Sequence, residues 1–169
     1  MSEDKGASRK SFVVQLLVHP ACVTSEFMFR ALATPIILHP NGWTKWGYNF
    51  KVEVAKQKKV RSSLRKQIVI QLTPQDVMDK LFPGFESERL SVCNMRTREI
   101  FINESRWRRD YADDKSQMSL PAYRCYVLNH EIGHALGRLH ERCKGTGQRA
   151  PIMLQQTVGL HGCLPDPFP

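Results

Sequence analysis

The segment Asn129–Glu141 reads NHEIGHALGRLHE and contains three of the chain's six histidines. Apolar side chains before and within it fall on one broad face, which predicts a helix that begins at Pro121 after a capping Ser119. His130 and His134 are four positions apart, so both imidazoles project from the same side of this helix. Two imidazoles at that spacing suit a divalent ion such as zinc. This spacing therefore predicts a fold in which the end of this helix faces a metal site.

Gly137 and His140 complete the pattern HExxHxxGxxH. Glycine takes the left-handed conformation that ends a helix, so a turn at Gly137 would return His140 to the same ion. Three protein ligands leave a fourth position for water, which is the arrangement of a catalytic zinc. Glu131 adjoins the first histidine and can reach a metal-bound water as a general base. The alternative is a polar helix that is merely rich in histidine, but five fixed positions coincide by chance far less often than a histidine pair.

The segment HEIGHALGRLH resembles, at every fixed position, the extended zinc-binding motif of the metzincin metallopeptidases. The resemblance implies that His130, His134 and His140 bind one catalytic Zn²⁺ and that Glu131 is the general base. It also implies a methionine in a tight turn beneath the metal, for which Met153 in the run APIM is the candidate. Many metzincins have a tyrosine after that methionine, whereas Leu154 follows here.

The last third of the chain, from about Tyr123 to Pro169, is also similar to an uncharacterised metzincin-like domain family best known from actinobacteria. The features that carry this similarity are NHEIGHALG, a downstream Cys143, APIM, QQT and the closing PFP. The chain's other segments read as strand, helix, strands, hairpin, helix and irregular lobe, which predicts a mixed α/β (α+β) fold. The predicted strands are 12–18, 50–54, 67–72 and the two strands of the hairpin 90–103. The predicted helices are 25–38, 73–82 and the helix that carries the histidines. Thr24 is expected to cap the helix 25–38, and Phe27 is expected to face the core.

The metzincin resemblance implies a single domain with a twisted mixed sheet, a backing helix, an active-site helix and a small irregular C-terminal lobe. We expect a disordered tail over 1–10 and a catalytic domain over 11–169, with an upper part to 137 and a lower lobe from 138. An antiparallel edge strand that pairs with an extended substrate is expected at one short segment, although it is equally an ordinary exposed edge. Its residues are Leu90, Ser91, Val92, Cys93 and Asn94.

The chain has five cysteines, an odd number that does not suggest a dense disulfide framework. Cys143 and Cys163 bracket a glycine-rich segment, and they are either a disulfide or two reduced thiols. Two other metal arrangements are open. One is a structural zinc set of these cysteines with His140 and His161, and the other has Asp166 in place of His140.

The formal net charge of +9 favours contact with anionic partners. Lys51–Lys66 carries seven basic residues and one acid, so we expect a solvated loop that associates weakly with nucleic acid or anionic surfaces. No signal peptide or membrane-spanning run is evident, which predicts an intracellular monomer and leaves export or particle packaging open. The sequence thus predicts a zinc endopeptidase acting on peptide or protein. The alternative is a basic docking protein with a structural or vestigial zinc site.

Overall fold

A computed structural model describes residues 9–54, 66–84, 90–109 and 115–169. Within these residues one five-stranded sheet has the order β2-β1-β3-β5-β4, and four α-helices and one short 3-10 helix accompany it. The strands are β1 (Lys10–Val18), β2 (Tyr48–Val54), β3 (Gln67–Thr73), β4 (Val92–Asn94) and β5 (Glu99–Asn103). The helices are α1 (Glu26–Ile37), α2 (Gln75–Leu81), α3 (Glu104–Arg108) and α4 (Leu120–Ala135), with the 3-10 helix at Trp43–Trp46. The predicted mixed α/β fold is confirmed.

The sheet is parallel except at one edge. β1 pairs in parallel with β2 and β3, β3 pairs in parallel with β5, and β4 pairs antiparallel with β5. Strands in the middle of the sheet are strongly apolar because both faces are covered; Leu16, Ile70 and Ile102 are fully buried. The predicted antiparallel edge strand, 90–94, is observed as β4 over Val92–Asn94 only, because Leu90 and Ser91 lie before the first residue that pairs with β5. The register pairs Cys93 with Ile100.

Helices α1 and α4 contact each other, and α1 contacts β1 while α4 contacts β4 and β5. Phe29, Ala33 and Ile37 form the buried face of α1, at the four-residue spacing of a helix. The prediction that Phe27 points inward was wrong: this side chain is 78% exposed, because it lies two positions from Phe29 and so on the opposite side. The cap is Ser25 rather than Thr24, since the Ser25 side chain accepts the Met28 amide.

Helix α3 was not predicted: it follows the predicted hairpin 90–103, and the sequence indicated no helix between that hairpin and the helix that carries the histidines. The Asn103 side chain accepts the Ser105 amide as an N-cap, and Trp107 is fully buried with its ring 5.1 Å from that of Phe29. The sequence pattern did not indicate this helix because the helix is short and because its polar residues are buried. The Glu104 carboxylate, for example, accepts the backbone amides of Val23 and Thr24 at 3.2 and 2.6 Å.

The segment after Gly137 forms a small irregular lobe with its own apolar cluster of Ala150, Leu154, Leu160 and Cys163. A disulfide joins Cys143 and Cys163, whose Cα atoms are 5.8 Å apart. At the other end of the chain β1 already begins at Lys10, and the rest of the predicted tail, residues 1–8, lies outside the described residues.

Most of the basic run 51–66 also lies outside the described residues, because positions 55–65 are not among them. No helix in the described part of the chain is long and apolar enough to cross a bilayer.

Candidate metal centre

The end of α4 turns the chain back onto itself. Gly137 has φ +90°, and the Arg138 amide donates to the Gly133 carbonyl at 2.9 Å. A residue with a Cβ is strained in this left-handed conformation, which explains the glycine. The Glu141 amide then donates to the Met153 carbonyl at 3.0 Å and fixes the returning segment against the lower lobe. His140 is thereby brought next to the helix that carries His134.

The three motif histidines meet at one point. The ring centroids of His130, His134 and His140 are 4.7–5.3 Å apart, and Nε2 of His134 lies 3.1 Å from Nε2 of His140. One ligand nitrogen from each ring lies within 4.8 Å of the other two. In the part of the chain that the structure describes, no other group of three His, Cys, Asp or Glu side chains is placed to hold a metal ion. These residues could hold one, and the sequence predicted the set.

Backbone carbonyls fix two of the rings. Nδ1 of His130 lies 2.8 Å from the Ile152 carbonyl oxygen, and Nδ1 of His134 lies 2.8 Å from that of Arg138. A carbonyl oxygen only accepts, so each Nδ1 carries the proton in the neutral ring and Nε2 keeps its lone pair. Metal-ligating histidines are commonly oriented in this way. The donor set therefore fits a metal ion without rearrangement of these two rings.

Burial also keeps the rings neutral. It lowers the pKa of His130 to about 3, against a weaker opposing effect of the hydrogen bond to Ile152, and the two neighbouring histidines lower it further. Burial likewise lowers the pKa values of His134 and His140. Because only the unprotonated imidazole binds a metal, the cluster is ready to bind one at neutral pH.

Glu131 lines the same cavity as the three histidines and is buried. Burial raises the pKa of its carboxyl group to about 8. A bound divalent cation would lower that pKa again, because it is the largest charge nearby. A carboxyl group whose pKa is tuned towards neutrality is suited to general-base chemistry.

Met153 packs under the helix between the first two histidines. It is fully buried, and a Cβ added at Gly133 would lie 2.3 Å from its Sδ and 2.9 Å from Cζ2 of Trp43. Trp43 in turn donates its indole N–H to the Asn129 carbonyl at 2.8 Å. Gly133, a position that the zinc motif leaves unspecified, thus lets the predicted Met-turn residue approach the helix closely.

A cavity of about 260 Å³ opens beside the histidines. Leu90, Ser91, Val92 and Cys93 line one side of it, so most of the predicted edge segment borders the cluster, whereas exposed Asn94 is not in the lining. Burial, and then the Glu131 carboxylate, raise the pKa of the Cys93 thiol to about 12. The thiol is therefore protonated at neutral pH in the absence of a metal.

Six further lining residues were not predicted as part of the site, namely Met95, Tyr123, Tyr126, Val127, Gln155 and Thr157. The Tyr126 hydroxyl donates to the Leu154 carbonyl at 3.0 Å and accepts the Gln156 amide at 2.8 Å. Helical spacing could have revealed both tyrosines, because positions four and seven before His130 lie on its side of the helix. Gln155 and Thr157 belong to the QQT run that carries part of the family similarity, but nothing in the sequence places this run at the cavity.

The other metal arrangements are wrong. Cys143 and Cys163 are bonded to each other, so neither thiolate is available to a structural zinc with His140 and His161. Asp166 forms an ion pair with Arg149 at 3.2 Å instead of joining the histidines.

A protein-family model described as "Protein of unknown function (DUF3152)" matches residues 6–163 of the chain. The chain belongs to this family. The DUF3152 match includes the whole sheet, α4, the three histidines and both cysteines of the disulfide. No curated protein matches the chain.

Proposed function

We propose that this protein is a zinc-dependent endopeptidase. The observation that carries the proposal is the placement of three imidazoles and a buried carboxyl group, Glu131, in one cavity bordered by a sheet edge. A zinc ion held by His130, His134 and His140 would polarise a scissile carbonyl and lower the pKa of a bound water.

Glu131 moves the proton in the proposed reaction. Its carboxylate takes a proton from the attacking water as the water oxygen bonds to the carbonyl carbon. The same carboxyl group then gives that proton to the amide nitrogen as the carbon–nitrogen bond breaks. Burial favours this exchange because it brings the pKa of Glu131 towards neutrality.

The proposed substrate is an extended peptide. β4 has one side paired with β5, and its other side is the edge of the sheet in the described residues. An extended chain could add to that edge through backbone hydrogen bonds and place a side chain in the cavity. The lining is mostly apolar, with Leu90, Val92, Tyr123 and Val127 among its residues, which favours an uncharged side chain there.

The Tyr126 hydroxyl does not replace the tyrosine that many metzincins have after the Met-turn methionine. Its proton is directed at the Leu154 carbonyl. Stabilisation of the oxyanion would therefore depend mainly on the zinc ion.

Zinc content and hydrolysis test the proposal together. The purified chain should hold about one zinc, as expected for one three-histidine site. His134→Ala should lose it, whereas His161→Ala should keep it, because His161 is not part of the cluster. An unbiased peptide-library digestion should show cleavage that a chelator stops and added zinc restores. A zinc-loaded chain that cleaves no peptide in the library would favour the alternative function of a docking protein. The net charge of +9 is the observation that supports this alternative.

A further inference from the structure

A second cavity, of about 560 Å³, lies between the 3-10 helix, the loop after α4 and the C-terminal segment. Four basic side chains line it: Lys45, Arg138, Lys144 and Arg149. We call it the basic cavity. Its volume is within the range of cavities that bind organic ligands or peptide side chains.

The charges of the basic cavity are only partly compensated. Arg149 pairs with Asp166, and the Arg138 guanidinium lies 5.9 Å from the centre of the Trp43 ring. Neither Lys45 nor Lys144 forms an ion pair with any residue that the structure describes. With Glu141 as the other acidic side chain in the lining, the cavity has an excess of positive charge.

Apolar surface accompanies this charge. Trp46 is 57% exposed at the edge of the basic cavity, and Pro151, Ile152 and Phe168 form part of its wall. An exposed indole in the lining of the same cavity as Lys45 and Lys144 suits a ligand that has both an apolar group and negative charge.

Two residues that line the basic cavity also position histidines of the metal centre. They are Arg138 and Ile152, and their carbonyl oxygens hold Nδ1 of His134 and His130. A ligand in this cavity would thus contact residues that orient two of the three histidines.

We propose that the basic cavity binds an acidic peptide segment. Carboxylates of the peptide pair with Lys45 and Lys144, and an apolar side chain covers Trp46. Glu141 and Asp166 in the wall repel any anion, so the carboxylates of the ligand lie at Lys45 and Lys144. Nucleic acid is the competing ligand, and the comparison with an oligonucleotide distinguishes it. An inorganic anion would leave the apolar wall uncovered. The binding does not depend on hydrolysis, so it can be tested apart from the proposed peptidase function.

Calorimetric titration of the full zinc-loaded Glu131→Gln chain tests the proposal without substrate turnover. The probe is the peptide acetyl-Glu-Asp-Phe-Glu-Asp-amide, and its uncharged partner is acetyl-Gln-Asn-Phe-Gln-Asn-amide. The acidic peptide should bind at least about tenfold more tightly than the uncharged peptide. Added salt should weaken the binding of the acidic peptide because the contacts are charged. Trp46→Ala should also weaken binding, since the peptide's phenyl ring loses its contact.

Two double charge reversals locate the site. The double variant Lys45→Glu with Lys144→Glu should lower the affinity for the acidic peptide by at least about tenfold. Lys10→Glu with Lys80→Glu changes the net charge equally at exposed positions outside the cavity, and it should weaken binding less than about twofold. Equal losses in both variants would overturn the proposal in favour of general charge attraction.

The remaining outcomes are also decisive. Tighter binding of a single-stranded oligonucleotide than of the acidic peptide would replace the proposal with nucleic-acid binding. Equal affinity for pyrophosphate would reduce the site to a simple anion site. Should the cavity double variant fail to fold by circular dichroism, unchanged binding by Trp46→Ala would be sufficient to reject the proposal.

Discussion

At the scale of single residues, side chains from distant parts of the chain meet around the histidine cluster. The spacing of His130, His134 and His140 predicts that these three side chains meet, because helix geometry and one glycine turn determine where they point. Gln155 and Thr157 border the same cavity through contacts that depend on the folded lower lobe. The role of Gly133 also depends on the folded structure, because Met153 packs against this glycine from a distant part of the chain.

Gly133→Ala tests that contact. The added Cβ would lie 2.3 Å from Met153 Sδ and 2.9 Å from the Trp43 ring, so one of these buried side chains must move. We expect a loss of about 1–3 kcal/mol in the free energy of unfolding, as is usual for overpacking. Urea unfolding measures it. Gly159→Ala is the control, because its Cβ would meet His161 at an ordinary 3.5 Å; equal losses in the two variants would show that Met153 does not pack there.

At the scale of elements, β1, β3 and α4 are predictable because each has a long apolar pattern and clear boundaries. The Ser119 side chain accepts the Ala122 amide, as the cap prediction requires. Helix α3 has only five residues and buries Glu104 and Arg106, so neither length nor polarity identifies it. The turn after α4 is the element on which the position of His140 depends.

Gly137→Ala should affect both folding and metal binding. Its φ of +90° is unfavourable for alanine, so we expect a loss of about 1 kcal/mol in stability or a change in the turn. A changed turn would displace His140 and lower zinc affinity, which competition with a chromogenic chelator measures. Gly47 has a similar φ of +83° and lies outside the turn that positions His140. The Gly47→Ala variant should therefore lose stability but keep its zinc affinity. Equal zinc affinities in the two variants would contradict this role of the turn.

At the scale of the whole molecule, buried polar groups join segments that are distant in sequence. Glu104 at the start of α3 accepts the amides of Val23 and Thr24 before α1. Burial alone would raise the pKa of Glu104, but these hydrogen bonds outweigh it and lower the pKa below the ordinary value. No sequence pattern predicts such a contact across about 80 positions.

Glu104→Gln should therefore destabilise the fold in a pH-dependent way. Because the folded-state pKa is below the unfolded one, the contribution of Glu104 is present above the unfolded pKa and is lost as the pH falls through the folded pKa. The variant should lose about 1–3 kcal/mol at pH 7, the usual cost of replacing a charged hydrogen-bond acceptor. Thermal unfolding from pH 7 to pH 3 should show the difference between the two proteins shrink. A constant difference would mean that the charge of Glu104 is not involved.

The central claim for the whole molecule is that the histidine cluster and Glu131 form a hydrolytic site. Glu131→Gln keeps the size of the side chain but removes the carboxylate, while the three imidazoles remain. Measured on a peptide that the wild-type chain cuts, hydrolysis by the zinc-loaded variant should fall by ~10²–10⁴-fold, with zinc content unchanged. Full cleavage by a zinc-loaded Glu131→Gln chain would contradict the account.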